Sequence, residues 1–241
     1  MDITERQKEI LKAIIKEFME EAEEVGSLSL VQKYDLGVSP ATIRSEMVKL
    51  MDLGLLEKSH ISSGRLPTDQ ALRFYISNVL SKSTLSPLIS IEIRQGIHRD
   101  RFDKDVVEKE ILSILAKETE SLVFLVTDKE IRFYGISNLL KYPEFNDLEK
   151  LRVVFDILED ENFLRNLVCQ YNNSGTTLLI GEETGIENMT NCAIAFIKVP
   201  FWGSNCTYVG VWGTKRMDYS VVIPVLSEVR DALEQATSGW R

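Results

Sequence analysis

The sequence predicts an α+β protein in two parts: an N-terminal winged helix-turn-helix over residues 1–80, and a domain of antiparallel sheet and helices over residues 104–241. A linker and connecting helix, residues 81–103, joins them. Three observations predict this. Apolar residues recur at helical spacing in three segments before residue 53. A short apolar run, a polar turn signal and a second run follow as a hairpin at residues 55–67. Beyond residue 104, five β-rich runs alternate with helical stretches.

The first helix is announced at Thr4, whose hydroxyl can cap it while Gln7, three residues on, reaches back in a capping box. Ile10, Leu11, Ile14, Ile15, Phe18 and Met19 then give one broad apolar face. A second short helix fits "SLSLVQKYD", with Ser27 as its cap and Leu30, Val31 and Tyr34 turned inward. "DLGVS" supplies a glycine turn, Ser39 caps the third helix, and Pro40 takes its first position, where a missing N–H costs nothing. On that helix Ile43, Met47, Leu50 and Met51 share one side, Ala41, Ser45 and Val48 lie opposite, and Thr42, Arg44 and Lys49 flank them. Leu55 and Leu56, the "SSG" turn signal and Arg65-Leu66-Pro67 complete a small hairpin, so three helices plus a wing result.

A helix from Thr68 to about Leu80 closes the first part, carrying Leu72, Tyr75, Ile76 and Val79, and "SKSTLSP" at 81–87 is the expected linker. A helix from about Lys104 to Lys117 packs Val106, Val107, Ile111, Ile114 and Leu115. Strands are expected at Ser121–Thr127, Ile131–Ile136, Thr177–Ile180, Ala193–Val199 and Tyr208–Trp212. Helices are expected near Leu148–Leu158, Asn162–Tyr171 and Met217–Ala236.

Composition narrows the function classes. The chain has 241 residues, is 44% hydrophobic and has no apolar run long enough to span a bilayer; its start bears Asp2, Glu5 and Arg6 instead of a signal-peptide core. A cytoplasmic protein away from membranes is expected. Cys169, Cys192 and Cys206 are expected as buried free thiols, and with only His60 and His98 besides, no metal site is expected. "GEETG" and "GVWG" match no phosphate-binding or dinucleotide loop, and no serine has a histidine partner in a catalytic pattern, so neither an enzyme nor a cofactor is expected. The net charge of −9 argues against nucleic-acid affinity spread over the whole surface. From Val38 to Tyr75, however, Arg44, Lys49, Lys58, Arg65 and Arg73 outnumber Glu46, Asp52, Glu57 and Asp69 by one.

The third helix therefore carries the functional reading. Small side chains where a backbone must approach bases, with cationic and hydrogen-bonding groups beside them, suit a helix entering a major groove. Ser39, Pro40, Ala41, Thr42, Arg44, Ser45 and Lys49 are the candidate DNA-binding residues of the helix, and His60, Ser62, Ser63 and Arg65 those of the wing. Three alternatives stay open: an ordinary surface helix bearing one arginine, a protein-interaction scaffold without DNA, and a ligand-responsive metabolic repressor. The last would use Phe196, Phe201, Trp202, Tyr208 and Trp212 to line a pocket.

"GSLSLVQKYDLGVSPATIRSEMVKLMDLGLLEKSHISSGRLPTDQALRFY" closely resembles the winged-helix domain of the HrcA family of bacterial heat-inducible transcription repressors. "GISNLLKYPEFNDLEKLRVVFDILED", "IGEE" and "GVWGTKRMDYSVVI" are similar to the family's C-terminal GAF-like region. The resemblance implies repression of chaperone operons through an inverted-repeat operator called CIRCE, with the GroE chaperonin as a partner that helps keep the repressor active. Pro40 stands where the family usually has serine, and Ser45 with Glu46 where it has an Asn-Asp pair. Family members also carry a dimerising insert before the "SNLL" segment. Here "SLVFLVTDKEIRFYGISNLLKYPEF" runs straight through, so this is a short form lacking it. An inverted repeat needs two copies, so a homodimer at least on DNA is expected. Its candidate contact is "VPFWGSNCTYVGVW", where Phe201 and Trp202 are either exposed or part of the core.

Overall fold

The computed structural model describes residues 3–58, 64–78, 80, 85–160, 162–200 and 206–238, and the chain divides into two compact units, Met1–Lys82 and Ser83–Arg241. The first unit is built on α1 (Glu5–Glu21), α2 (Ser27–Lys33), α3 (Pro40–Asp52), a ribbon of β1 (Leu56–Glu57) and β2 (Leu66–Pro67), and α4 (Asp69–Asn78). Thr4 and Gln7 exchange the two bonds of the expected capping box, at 3.0 and 3.2 Å. Ile10, Leu11, Ile14 and Ile15 of α1 meet Leu30, Ile43, Met47, Leu50, Leu72 and Tyr75, all buried, while Phe18 and Met19 lie half-buried at the margin.

Two local readings need correction. Gly26, not Ser27, precedes α2 as its cap, and Ser27 is buried as the first helical residue. Val31 faces solvent, because a seven-residue helix buries only a narrow stripe, centred here on Leu30. The third helix conforms: Ser39 Oγ accepts from the Thr42 backbone N–H at 3.2 Å, and Pro40 holds the first position.

The ribbon gains a third, isolated rung. Val25 and Arg65 exchange backbone bonds of 2.9 and 3.1 Å, fastening the segment before α2 to the wing. Gly64 permits the approach, since a Cβ built there would lie 2.5 Å from Glu24 Cβ.

The second unit contains α5 (Pro87–Arg99), α6 (Lys104–Thr119), β3 (Leu122–Val126), β4 (Ile131–Tyr134), α7 (Leu148–Glu159), α8 (Phe163–Cys169), β5 (Thr177–Ile180), β6 (Cys192–Lys198), β7 (Tyr208–Thr214) and α9 (Tyr219–Ser238). The five strands form one antiparallel sheet in the order β4-β3-β7-β6-β5, with Phe124 opposite Gly210 and Gly210 opposite Phe196. β3 and β7 are buried at every position because both faces of the sheet are covered. On one face Leu122, Phe124, Ile194, Phe196 and Trp212 pack with Phe145, Val154, Leu164 and Val168. The other face meets α6 and α9.

The expected connecting segment contains α5, which lies within the second unit and packs along α9: Ser90 Oγ donates to Glu228 at 2.8 Å and Arg94 Nη1 to Gln235 at 2.6 Å. Val106, expected inside α6, is 40% exposed, since it sits one step off the stripe of Val107, Ile111, Ile114 and Leu115. Gly135, at φ +72°, turns the chain from β4 directly into the 3₁₀ turn Ile136–Lys141.

The cysteine expectation holds for Cys192 alone. Cys169 and Cys206 form a disulfide, their Cα atoms 6.9 Å apart, because the chain after α8 is pinned to the start of β7 by the Tyr208 hydroxyl donating to Tyr171 O at 2.5 Å. No helix among the described residues is long and apolar enough to cross a membrane, and no group of three metal-binding side chains occurs among them.

Candidate nucleic-acid interface

α3 presents a polar, small-residue side away from the core of its unit. Ile43, Glu46, Met47 and Leu50 are buried; Ala41, Arg44, Ser45, Val48 and Lys49 are exposed. At the helix start, Ser39 and Thr42 share a hydroxyl–hydroxyl hydrogen bond of 3.0 Å, Ser39 fully open and Thr42 and Pro40 half-buried. The helix start therefore presents two hydroxyls and the positive end of the helix dipole, a setting that favours an anion.

Glu46 departs from the outward side on which an acid would oppose a polyanion. It is 8% exposed, accepts from Gln7 Nε2 at 3.0 Å and from Lys49 Nζ at 2.8 Å, and its carboxyl is held below the usual carboxylate range chiefly by the Lys49 hydrogen bond. Its charge is thus neutralised within the unit. Lys49 retains an exposed side chain, so its ammonium can still reach outward, with part of its field spent on Glu46. Arg44 has no ion pair or hydrogen bond to the described residues and is free to reach a ligand.

Between the start of α2, the outer side of α3 and the ribbon lies a groove of about 380 Å³ lined by Gly26, Ser27, Leu28, Arg44, Met47, Lys58 and Arg65. Three cations converge there from three separate segments, and none of the described lining residues is acidic. Arg65 is oriented by its neighbours: its Nε lies 2.7 Å from Met51 Sδ and its Nη1 donates to Gly64 O at 2.9 Å, while its backbone is fastened to Val25. That brace keeps the guanidinium at the base of the wing. His60, Ser62 and Ser63, the remaining wing candidates, lie outside the described residues.

Lys58 and Leu28 join the site unforeseen. Both are exposed, Leu28 at 63%. Lys58 is visible in the sequence as a cation just past a strand, but only the Val25–Arg65 rung, spanning forty positions, brings α2 and the wing to either side of it. Alternation within the hairpin carries no signal of that pairing. Such an arrangement can hold a phosphate backbone against three cations while α3 offers short side chains to base edges.

A family model described as the HrcA protein C terminal domain matches residues 40–223. The heat-inducible transcription repressor HrcA of Moorella thermoacetica is 24% identical over 337 residues, covering 98% of this chain and 98% of the relative. Its counterpart in Pelotomaculum thermopropionicum is 25% identical over 338 residues, covering 98% of this chain and 97% of the relative. An alignment of 337 residues against a chain of 241 leaves at least 96 positions that the relative fills and this chain does not. A crystal structure of a hypothetical protein, determined at 2.2 Å resolution, superposes with a TM-score of 0.84 at 20% identity, covering 100% of both chains. It shows a shared fold.

Proposed function

The chain belongs to the HrcA family, and from that premise we propose that it is a heat-shock transcription repressor, not an enzyme, whose first unit binds operator DNA as a winged helix. The groove lined by Arg44, Lys58 and Arg65 supports this reading most: in a chain of net charge −9, three cations meeting along one groove suit a polyanion.

In this reading α3 enters the major groove. Ala41 and Ser45 allow its backbone close to the bases, Arg44 reaches a base edge or the phosphate beside it, and Ser39, Pro40 and Thr42 bring the helix start against the backbone. Lys49 and Lys58 neutralise phosphates, Leu28 offers an apolar contact for a thymine methyl, and the wing, with His60, Ser62, Ser63 and Arg65, grips the adjacent backbone. Two copies read an inverted repeat of CIRCE type, as a homodimer at least on DNA, because one winged helix covers too few base pairs to find an operator among a genome of competing sites.

The second unit is read as a GAF-like sensor and assembly domain, with the GroE chaperonin as the partner the family resemblance implies. The missing positions correspond in this reading to the dimerising insert, so the symmetric contact rests on other surface. Phe201 and Trp202, its candidates, lie outside the described residues. The alternative of a ligand-responsive metabolic repressor gains nothing from Phe196, Tyr208 and Trp212, which are buried in the core. Footprinting of the purified protein on DNA upstream of chaperonin genes from the same genome tests the proposal. Protection of an inverted repeat is expected; affinity no greater there than on shuffled DNA would overturn it.

A further inference from the structure

The three cysteines differ sharply in their surroundings. Cys192 is buried in β6, its Sγ donates to Met189 O at 2.9 Å, and burial pushes its thiol above the ordinary value. A thiol so placed stays protonated and out of reach of reagents. Cys169 is exposed at the end of α8, and Cys206, half-buried, precedes β7 with its Cα 6.9 Å away.

We propose that Cys169 and Cys206 are a reversible oxidation site, closed by a hydroperoxide and reopened by a dithiol, whose closed form holds the second unit folded to higher temperature. The chemistry balances. The Cys169 thiolate attacks the peroxide, breaking the O–O bond and forming a sulfenic acid with release of water or alcohol. Cys206 then attacks that sulfur, forms the S–S bond and expels hydroxide, which leaves as water after taking a proton. The two sulfurs lose two electrons and the peroxide gains them. A dithiol reverses the state by two exchanges, leaving as its own disulfide.

The stability consequence follows from what the bond spans. It closes a loop of 37 residues containing β5 and β6 and restricts the unfolded chain. In the folded unit the same junction is already held by the Tyr208 bond to Tyr171 and by Lys198 Nζ donating to Asn172 at 2.8 Å, so closure asks for little movement. The site lies wholly in the second unit and is independent of the reading of the first as DNA-binding.

All three tryptophans, Trp202, Trp212 and Trp240, lie in the second unit, so fluorescence excited selectively at tryptophan follows its melting alone. The full-length protein is treated with hydrogen peroxide or dithiothreitol, alkylated under denaturing conditions, mapped by mass spectrometry and melted in parallel. After peroxide only Cys192 should be alkylated; after dithiothreitol all three cysteines should be. The oxidised form should melt about 8–15 °C higher, the size a loop closure of this length implies for a unit of this size. That difference should vanish in Cys169→Ser and, separately, in Cys206→Ser. Free or overoxidised Cys169 and Cys206 after peroxide would overturn the proposal, as would a bond that forms and leaves the melting temperature unchanged.

Discussion

Gln7 of α1 and Glu46 of α3 meet inside the first unit, Gln7 Nε2 donating to Glu46 Oε2 at 3.0 Å. Through the same side chain Gln7 also closes the cap on Thr4, so one residue sets the start of α1 and ties it to the helix that carries the candidate interface. Replacing Glu46 by Ala leaves the Gln7 amide without its buried acceptor. The first unit should lose about 1–3 kcal/mol in urea titrations followed by circular dichroism.

Glu46→Gln separates the charge from the hydrogen bond. The wild-type carboxyl titrates below its ordinary value because Lys49, then Gln7, stabilise the ionised form. A lowered folded pKa contributes stability that is present above the unfolded value, about 4.3, and is lost as pH falls through the folded one. Wild type should therefore exceed Glu46→Gln by under about 1 kcal/mol at pH 7, as befits a pair with one exposed partner. The difference should narrow progressively as the same titration is repeated at pH values falling below the unfolded one.

Gly64→Ala tests the brace of the wing. The added methyl meets Glu24 Cβ at 2.5 Å, so the Val25–Arg65 rung must open or shift. A loss of about 1–3 kcal/mol is expected, with weakened operator binding at temperatures where the unit is still folded. Amide exchange at Val25 and Arg65 reports the rung directly, and both should exchange faster.

Much of the first unit was legible in the sequence because its signals are local. Thr4 with Gln7 and Ser39 with Pro40 fix two helix starts by contacts within four residues. The outward placement of Arg44 and Ser45 follows from helical period alone. What escaped reading depends on distant pairing: the Val25–Arg65 rung, and with it Lys58 as a wall of the groove; the inward turn of Glu46, fixed by a residue 39 positions earlier; and the Cys169–Cys206 bridge. The central strands of the second unit, β3, β6 and β7, were found because both faces are covered, which makes their runs largely apolar. Their order in the sheet carries no comparable mark.

Few cations line the candidate groove, so each protomer can neutralise only a handful of phosphates. The slope of log affinity against log salt should be shallow, well short of the roughly ten ions released by a strongly basic repressor. Anisotropy titrations at several salt concentrations on one operator check this.

Stoichiometry is expected to follow the repeat. Sedimentation should show weak self-association of the free protein and two protomers on an intact inverted repeat. A half-site should bind one protomer with much lower affinity. A strictly monomeric complex on the full repeat would contradict paired reading.

The most direct test of DNA binding through α3 and the wing base titrates wild type, Arg44→Ala and Arg65→Ala against the operator and a set of single-base variants. Arg44→Ala should cost about 1–3 kcal/mol and relax preference at one position of each half-site, whereas Arg65→Ala should weaken binding to every sequence alike. Unchanged operator affinity in both variants would contradict the account.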